Sequence, residues 1–498
     1  MLVTCREMKE IEERAFAAGI SAETLMEEAG ALMAAQVKSF FPSAGICHIF
    51  FGKGHNGGDA LVTARHLAQA GWQIESHPVF PRETLAPLTQ KKLVEAEAAI
   101  ITTRRATAPQ IVLDGMLGIG AKRGLTEPIR SAAGAIQRLR RENGATVFAM
   151  DIPTGLDGDT GEADPEAVVA DFTLCVGFAK RGLVADAALD FVGRLAVLPL
   201  AGLIAPDEAR SLESIATPHT LAGLLPPRRY STYKGDCGRV GIVAGSRGFT
   251  GAAVMAAQAA VRAGAGLVSL FVTPDIYPIV ASAAMPEVMV TPVDCYLAAL
   301  DFPLDALAIG PGVGLDEAPD VLAVIEYFAG PMVVDADALN ALSKSPEALR
   351  RAAGPRLLTP HPGEMRRLFP ASGELSRKET AERYLQSVAQ SQSPVTLLLK
   401  GSRTLVAESI TEGLRVSYNS TGNPGMASGG MGDILSGVCA ALAGQGLSLF
   451  DTARLGAWVC GRAAERAVTD GQSQESLAAT DLLAQFGRAF NEIRQSVL

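Results

Sequence analysis

The chain has 498 residues, 48% hydrophobic and 19% charged, which suits two large globular domains or about three average ones and excludes a low-complexity protein. A net charge of −9, from 44 basic and 53 acidic residues, argues against a dedicated nucleic-acid binder, which carries a basic excess. The seven cysteines show neither CxxC pairs nor metal-ligand spacing, so reduced thiols in a cytoplasmic protein are expected.

The opening MLVTCREMKEIEER is too charged for a signal peptide. Residues 5–40 have helical spacing, with Met8, Ile11 and Ala15, then Leu25, Met26, Ala29 and Met33, on one face. Short apolar runs follow: ICHIFF (46–51), IVLD (111–114), TVFAMD (146–151) and FTLCVGF (172–178), separated by helical stretches such as 60–70 and 127–142. Alternating short strands and helices predict a parallel, doubly wound α/β sheet. From 199 to 235 the pattern breaks in a proline-rich stretch, and a boundary is placed at 1–215 and 216–498. A second α/β series then runs through RVGIVAGS (239–246), LVSLFVTP (267–274), ALAIGPG (306–312), PMVVDAD (331–337), RLLTPHP (356–362) and VTLLLKG (395–401). Helices are expected at about 430–444 and 451–469. The longest uncharged stretch, between Asp433 and Asp451, is interrupted by Ser436, Gln445 and Ser448 and does not read as a membrane span.

Chemistry concentrates at the ends of the predicted strands, where open parallel sheets bind ligands. GKGHNGGDA (52–60) joins a strand to a helix, and its glycines let backbone N–H groups approach an anion at the helix N-terminus. Asp114 ends a strand before a second glycine-rich loop, GMLGIGAKRG (115–124), and Asp151 ends the next, in AMDIPTGLDGDTG (149–161). Asn56, Asp114, Asp151 and Thr154 would converge at one sheet edge, although a single aspartate in such a turn commonly serves as a cap. In NSTGNPGMASGGMGDILSG (419–437), Gly429, Gly430 and Gly432 form a turn whose backbone donors can stabilise phosphate oxygens. Asp433 at the following helix start can take a proton from a hydroxyl attacking a phosphoryl group, or can simply cap the helix. Lys400 ends an apolar strand where a nucleotide phosphate would meet it. His361, between prolines, either holds a turn or touches a ligand. The alanine-rich helix at 251–264 serves core packing or a subunit contact.

NGGD, DGMLGIGAKRG, DIPTGLDGDTG and ADFTLCVGFAKRGL (170–183) together resemble the NAD(P)H-hydrate epimerase domain. The resemblance implies that the hydrated cofactor is bound by His55, Asn56, Gly57, Gly58 and Asp59. The second loop would join in, through Gly118, Ile119, Gly120, Ala121, Lys122, Arg123 and Gly124. It also implies a potassium ion on Asn56, Asp114 and Thr154, with Asp151 touching substrate, where a carboxylate can shuttle a proton. His55 stands where the family has Asn, and Ala60 where it has Gly. KGDCGRVGIVAGS, GPGVG, VDADALN, TPHPGEM, KGSRT and GNPGMASGGMGD resemble, in order, ADP-dependent NAD(P)H-hydrate dehydratase, with Met431 where many relatives carry Thr. That resemblance implies substrate contacts at Ala252, Gly314, His361 and Asp433. It implies nucleotide contacts along Lys400, Gly401, Ser402, Arg403 and Thr404 and at Gly432.

Most of the chain therefore resembles the bifunctional NAD(P)H-hydrate repair enzymes. The expected architecture is an N-terminal Rossmann-like three-layer sandwich followed by a ribokinase-like one. The expected reaction is epimerisation of hydrated NADH or NADPH, with Asp151 acting, then ADP-driven dehydration with Asp433 as base. ADP with Mg2+, K+ in the first domain, a cytoplasmic homo-oligomer, and no nucleic acid or membrane complete the expectation. The alternative is a ribokinase-like kinase for a vitamin or thiazole alcohol, carrying a noncatalytic N-terminal binding domain.

Overall fold

Strands buried on both faces of a parallel sheet read as short, nearly continuous apolar runs, and such runs form most of the framework here. The computed structural model describes residues 1–99, 109–120, 124–205, 212–225 and 227–496. It divides into two compact units, Met1–Ser211 and Leu212–Leu498.

In the first unit the predicted runs form the strands Ile46–Phe51, Gln110–Gly115, Thr146–Met150 and Phe172–Val176. Two more, Gln73–Pro78 and Arg194–Leu198, occupy the edges. All six are parallel, in the order 73–78, 46–51, 110–115, 146–150, 172–176, 194–198. Strand order reverses between 46–51 and 110–115, which places a ligand crevice beyond their carboxyl ends. Cys47, Ile49 and Phe51 pack with Met33, Val37, Leu61 and Leu67 of the helices Ala22–Phe40 and His55–Gln69. Phe50 and Val112 pack on the opposite face with Ala133 and Ile136 of the helix Ile129–Asn143. The amphipathic stretch 5–40 is two helices, Cys5–Ala17 and Ala22–Phe40. Gly19, with φ +93°, turns the chain between them, and Ser21 caps the second by accepting from Thr24 N.

The second unit carries ten strands in one sheet. The parallel set runs 288–292, 267–272, 239–243, 306–309, 332–334, 356–358, 395–399, with the reversal between 239–243 and 306–309. An antiparallel hairpin, Leu405–Ile410 and Gly413–Asn419, extends it. The last strand, Glu213–Ala216, pairs parallel with Gly413–Asn419. The boundary expected at 215/216 therefore falls inside a strand; four residues in a proline-rich stretch carry too little periodicity to reveal it.

The helix Thr250–Arg262 lies against Met431–Gly444 so closely that a Cβ on Gly437 would sit 2.0 Å from the Ala256 carbonyl oxygen. Ala253, Ala256, Ala257, Ala259 and Ala260 are all buried there, so core packing accounts for this alanine-rich helix. At the start of strand 356–358, the buried Arg356 donates to the carbonyls of Ile325, in the last turn of the helix Ala318–Tyr327, and of Gly330 just after it. All seven cysteines are unpaired. No helix among the described residues is long and apolar enough to cross a membrane.

Candidate functional site

In the first unit the strand Ile46–Phe51 turns through Gly52–Gly54 into the helix His55–Gln69, whose N-cap, Gly54, has no side chain to occupy the first-turn donors. Gly57 is needed for contact: a Cβ there would lie 2.4 Å from the Gly52 carbonyl oxygen. Asn56 Nδ2 donates to Leu117 O at 2.6 Å, while its buried Oδ1 meets no partner among the described residues. Asp114, fully buried, accepts from Thr154 N at 2.8 Å and Thr154 Oγ1 at 2.7 Å, and Leu117 N donates to Thr154 Oγ1 at 3.2 Å. Burial pushes the Asp114 carboxyl up to about 6 despite those bonds. An amide oxygen, a hydroxyl and a buried carboxylate, the first unpartnered and the last lacking a counter-ion among the described residues, make a hard-oxygen set that fits a monovalent cation.

Asp151 takes a different environment. Its backbone is left-handed, at φ +67°, and its Oδ1 accepts from Lys180 Nζ at 2.5 Å and Val176 N at 3.1 Å. Burial alone would pull Lys180 down, but the charge of Asp151 outweighs it and holds the ammonium protonated. Asp59 is pushed well up by burial and by the charges of Asp151 and Glu12, against the pull of Lys180. Lys180 was not among the expected site residues; the motif AKRGL contains it, but a lysine after a strand ordinarily reads as solvated. His55 is exposed at the helix start. Ala60 is fully buried and faces the sheet, where a Cβ on Gly115 would lie 2.4 Å from its own. Gly118 follows Leu117 beside Asn56, and Ile119 packs against the cluster around Met8 and Ile11. Gly120 and Gly124 flank Ala121, Lys122 and Arg123, which lie outside the described residues.

In the second unit Gly430, at φ +87°, caps the helix Met431–Gly444, a conformation only glycine adopts cheaply. The cap is thus not Asp433. That residue lies in the first turn, and its carboxylate accepts no hydrogen bond from the described residues. Burial and the nearby charge of Asp335 push it up to about 6, against the pull of Lys400. Lys400 Nζ donates to Asp335 Oδ1 at 2.6 Å and lies 3.8 Å from Glu364 Oε2. Burial works against the ammonium, yet Asp335, Glu364 and Asp433 raise its pKa overall. Ser436 Oγ donates to the other Asp335 oxygen at 2.8 Å. A Cβ on Gly432 would lie 3.3 Å from Lys400 Nζ and 3.4 Å from Asp335 Oδ2, so the loop rests on that ion pair. Gly429, by contrast, faces open space.

His361 caps the helix Pro362–Leu368: its Nδ1 accepts from Gly363 N at 2.9 Å, and Glu364 Oε2 accepts from His361 N at 2.8 Å. The half-exposed ring therefore holds the turn and remains open to a ligand. Ala252 packs on Gly312, where an added Cβ would lie 3.1 Å away, and Gly314 N donates to Asp337 Oδ2 at 3.0 Å. These form a second group at the switch point. The loop 401–404 is braced by Arg377, whose Nη1 donates to Ser402 O and Arg403 O, and by Thr404 Oγ1 donating to Gly401 O. Arg377 and Asp335 were not expected as site residues; neither stands in a glycine-rich turn. Among the described residues the only non-glycine positive φ angles fall at Asp151, Ala336 beside Asp335, and Arg403. Each belongs to one of these clusters, where backbone strain characteristically collects.

Two α/β units with strand-end clusters of this kind, one fit for a cation beside a buried ion pair and one for a phosphate loop, define a bifunctional enzyme. A family model described as "NAD(P)H-hydrate dehydratase" matches residues 240–486, and one described as "YjeF-related protein N-terminus" matches residues 22–182. The chain is 36% identical to the bifunctional NAD(P)H-hydrate repair enzyme of Gloeobacter violaceus, over 89% of each chain. It is 34% identical to that of Escherichia coli, over 96% of this chain and 92% of the relative. An ADP/ATP-dependent NAD(P)H-hydrate dehydratase of Bacillus subtilis superposes with a TM-score of 0.48 at 26% identity, over 56% of this chain and 98% of that one. The chain belongs to the family of bifunctional NAD(P)H-hydrate repair enzymes.

Proposed function

We propose that the chain repairs hydrated NADH and NADPH, the first unit interconverting the C6 epimers and the second dehydrating the S epimer at the expense of ADP. The observation that carries the second step is Asp433: a carboxylate without a hydrogen-bond donor among the described residues, one residue from the glycine that rests on the Lys400–Asp335 pair. Asp433 takes the proton of the C6 hydroxyl, and the freed oxygen attacks the β-phosphorus of ADP, expelling AMP. Gly429, Gly430 and Gly432 present backbone N–H groups to the charge in transfer, and Lys400 with the 401–404 loop holds the phosphates. The C6–O bond then breaks with phosphate as leaving group, a proton leaves C5, and the reduced nicotinamide is restored. Asp335 and Glu364 are the hard oxygen donors that would hold an accompanying Mg2+, which supplies neutralising charge when bound.

In the first unit Asp151, oriented by Lys180, and Asp59, whose hold on a proton is strengthened by burial, form a base and acid pair for the C6 centre. His55–Asp59 and the 118–124 loop bind the cofactor. Asn56, Asp114 and Thr154 would hold K+, which supplies a fixed positive charge beside that turn. A cytoplasmic homo-oligomer using only small-molecule substrates fits this chemistry. The vitamin-kinase alternative is not favoured, because the repair-enzyme relatives match across both units. The test incubates purified NADH hydrate with ADP, following reduced-nicotinamide absorbance while AMP and phosphate are quantified. Recovery with stoichiometric AMP supports the reading; a phosphorylated product that persists overturns it in favour of the kinase.

A further inference from the structure

We propose that His48, Glu75 and His77 form a binding site for one divalent transition-metal ion of the Zn2+ type, apart from both sites already described. The three residues sit on neighbouring parallel strands, where His48 pairs in register with Glu75 and Phe50 with His77. Alternate residues share a face, so all three side chains leave the same side of the sheet, opposite the one filled by Cys47, Ile49 and Phe51.

His48 Nδ1 lies 3.2 Å from His77 Nε2 and 3.2 Å from Glu75 Oε2, and the ligand atoms all lie within 4.8 Å of one another. Bonds of about 2.0–2.1 Å to a tetrahedral ion place ligand atoms roughly 3.3 Å apart, so two edges of that tetrahedron are already built. Hydrogen bonding within the cluster does not account for it. His48 Nδ1 carries at most one proton, yet it faces both an imidazole nitrogen and a carboxylate. One cation satisfies all three lone pairs. The other His48 nitrogen, Nε2, is buried with no partner among the described residues, so the ring makes its polar contacts through Nδ1 alone.

The site is also rigid and reachable. The His77 ring stacks on Phe50 at 4.4 Å with 9° between planes, and His48 is 6% exposed. The Glu75 side chain is 42% exposed, leaving a path for the ion and a fourth position for water. Two imidazoles and one carboxylate select Zn2+, Cu2+ or Ni2+ over Mg2+ or Ca2+. Gln73–Pro78 is an edge strand, and an ion here clips it to Ile46–Phe51, the strand that delivers the Gly52–Asp59 turn.

The test titrates ZnCl2 into the chelator-stripped full chain by calorimetry, in K+ and Mg2+ buffer, beside His77→Ala and Glu75→Gln. The expected result is one equivalent bound by the parent chain, with affinity at least about tenfold weaker in each variant. Thermal scans give the second readout: saturating Zn2+ raises Tm in the parent and leaves that of His77→Ala unmoved. Glu75→Gln alters a half-exposed side chain isosterically and keeps the comparison valid if His77→Ala folds poorly. No stoichiometric binding by the parent chain, or equal binding by both variants, overturns the site.

Discussion

At the end of the strand Thr146–Met150, Asp151 meets a buried lysine; at the start of the helix Met431–Gly444, Asp433 meets no donor among the described residues. Both carboxylates stand beyond the carboxyl ends of parallel strands, in sheets of the same general build. Around Asp433 the available lysine is already committed, because Lys400 donates to Asp335. The contrast separates two uses of a carboxylate. One fixed by a cation keeps its geometry. One left beside a spent lysine is destabilised as an anion and therefore ready to accept a proton.

The largest expected effect breaks the second half of this comparison. Asp433→Asn lowers dehydration kcat by about 10²–10⁴-fold, the usual contribution of a general base, while ADP affinity by calorimetry changes little. The same substitution raises Tm at neutral pH. A carboxyl whose folded pKa stands near 6 favours the fold fully below its ordinary pKa, and that contribution is lost as pH rises through about 6. At neutral pH the charge therefore weighs against folding, and Asn removes it. A Tm that falls would mean Asp433 has a donor after all.

Lys180→Met breaks the first half. It leaves Asp151 buried without its cation, at about 3–5 kcal/mol of stability by chemical denaturation, and it abolishes epimerisation. Adding Asp151→Asn restores most of the stability and none of the epimerisation, which separates the fold's need for the pair from the reaction's. A subtler test is pH. Dehydration kcat/KM for the S epimer falls as pH drops through about 6, where Asp433 takes its proton, and is flat above it. The smallest effect concerns Ala60. Ala60→Gly costs about 1 kcal/mol of helix stability and leaves epimerisation kinetics unchanged, since the Ala60 methyl is buried against Gly115 and offers no polar group to a substrate.

Much of this framework was readable in advance. ICHIFF, TVFAM and VTLLL are apolar but for one residue each because their strands lie inside the sheets, and burial writes itself directly into composition. Gln73–Pro78, as QIESHP, carries no such signature at a sheet edge, and the hairpin LVAESI and GLRVSYN mixes polar with apolar residues. The glycine turns and the aspartates 114, 151 and 433 were visible because chemistry needs those types beside strand ends. Lys180, Asp335 and Arg377 were not, because their roles depend on partners 29, 65 and 25 residues away in the chain. Local sequence cannot pair a lysine with an aspartate across a sheet. The reading of Asp433 as a cap failed for a related reason, since Gly430 reaches the left-handed cap geometry that no side chain was needed to stabilise.

The strand Glu213–Ala216 has a consequence for how the molecule is made. It is among the earliest segments of the second unit to leave the ribosome, yet its hydrogen-bonding neighbour begins at Gly413. Ser214 Oγ and Val416 O, 3.2 Å apart in space, are separated by 202 positions in the chain. The sheet's last edge closes only after residues 413–419 have been translated, some two hundred positions on, so a ten-strand sheet keeps a four-residue segment in reserve. A nascent chain halted before 413 presents Leu405–Ile410 as an open edge, exposed to neighbouring polypeptides and to the chaperones that shield such edges.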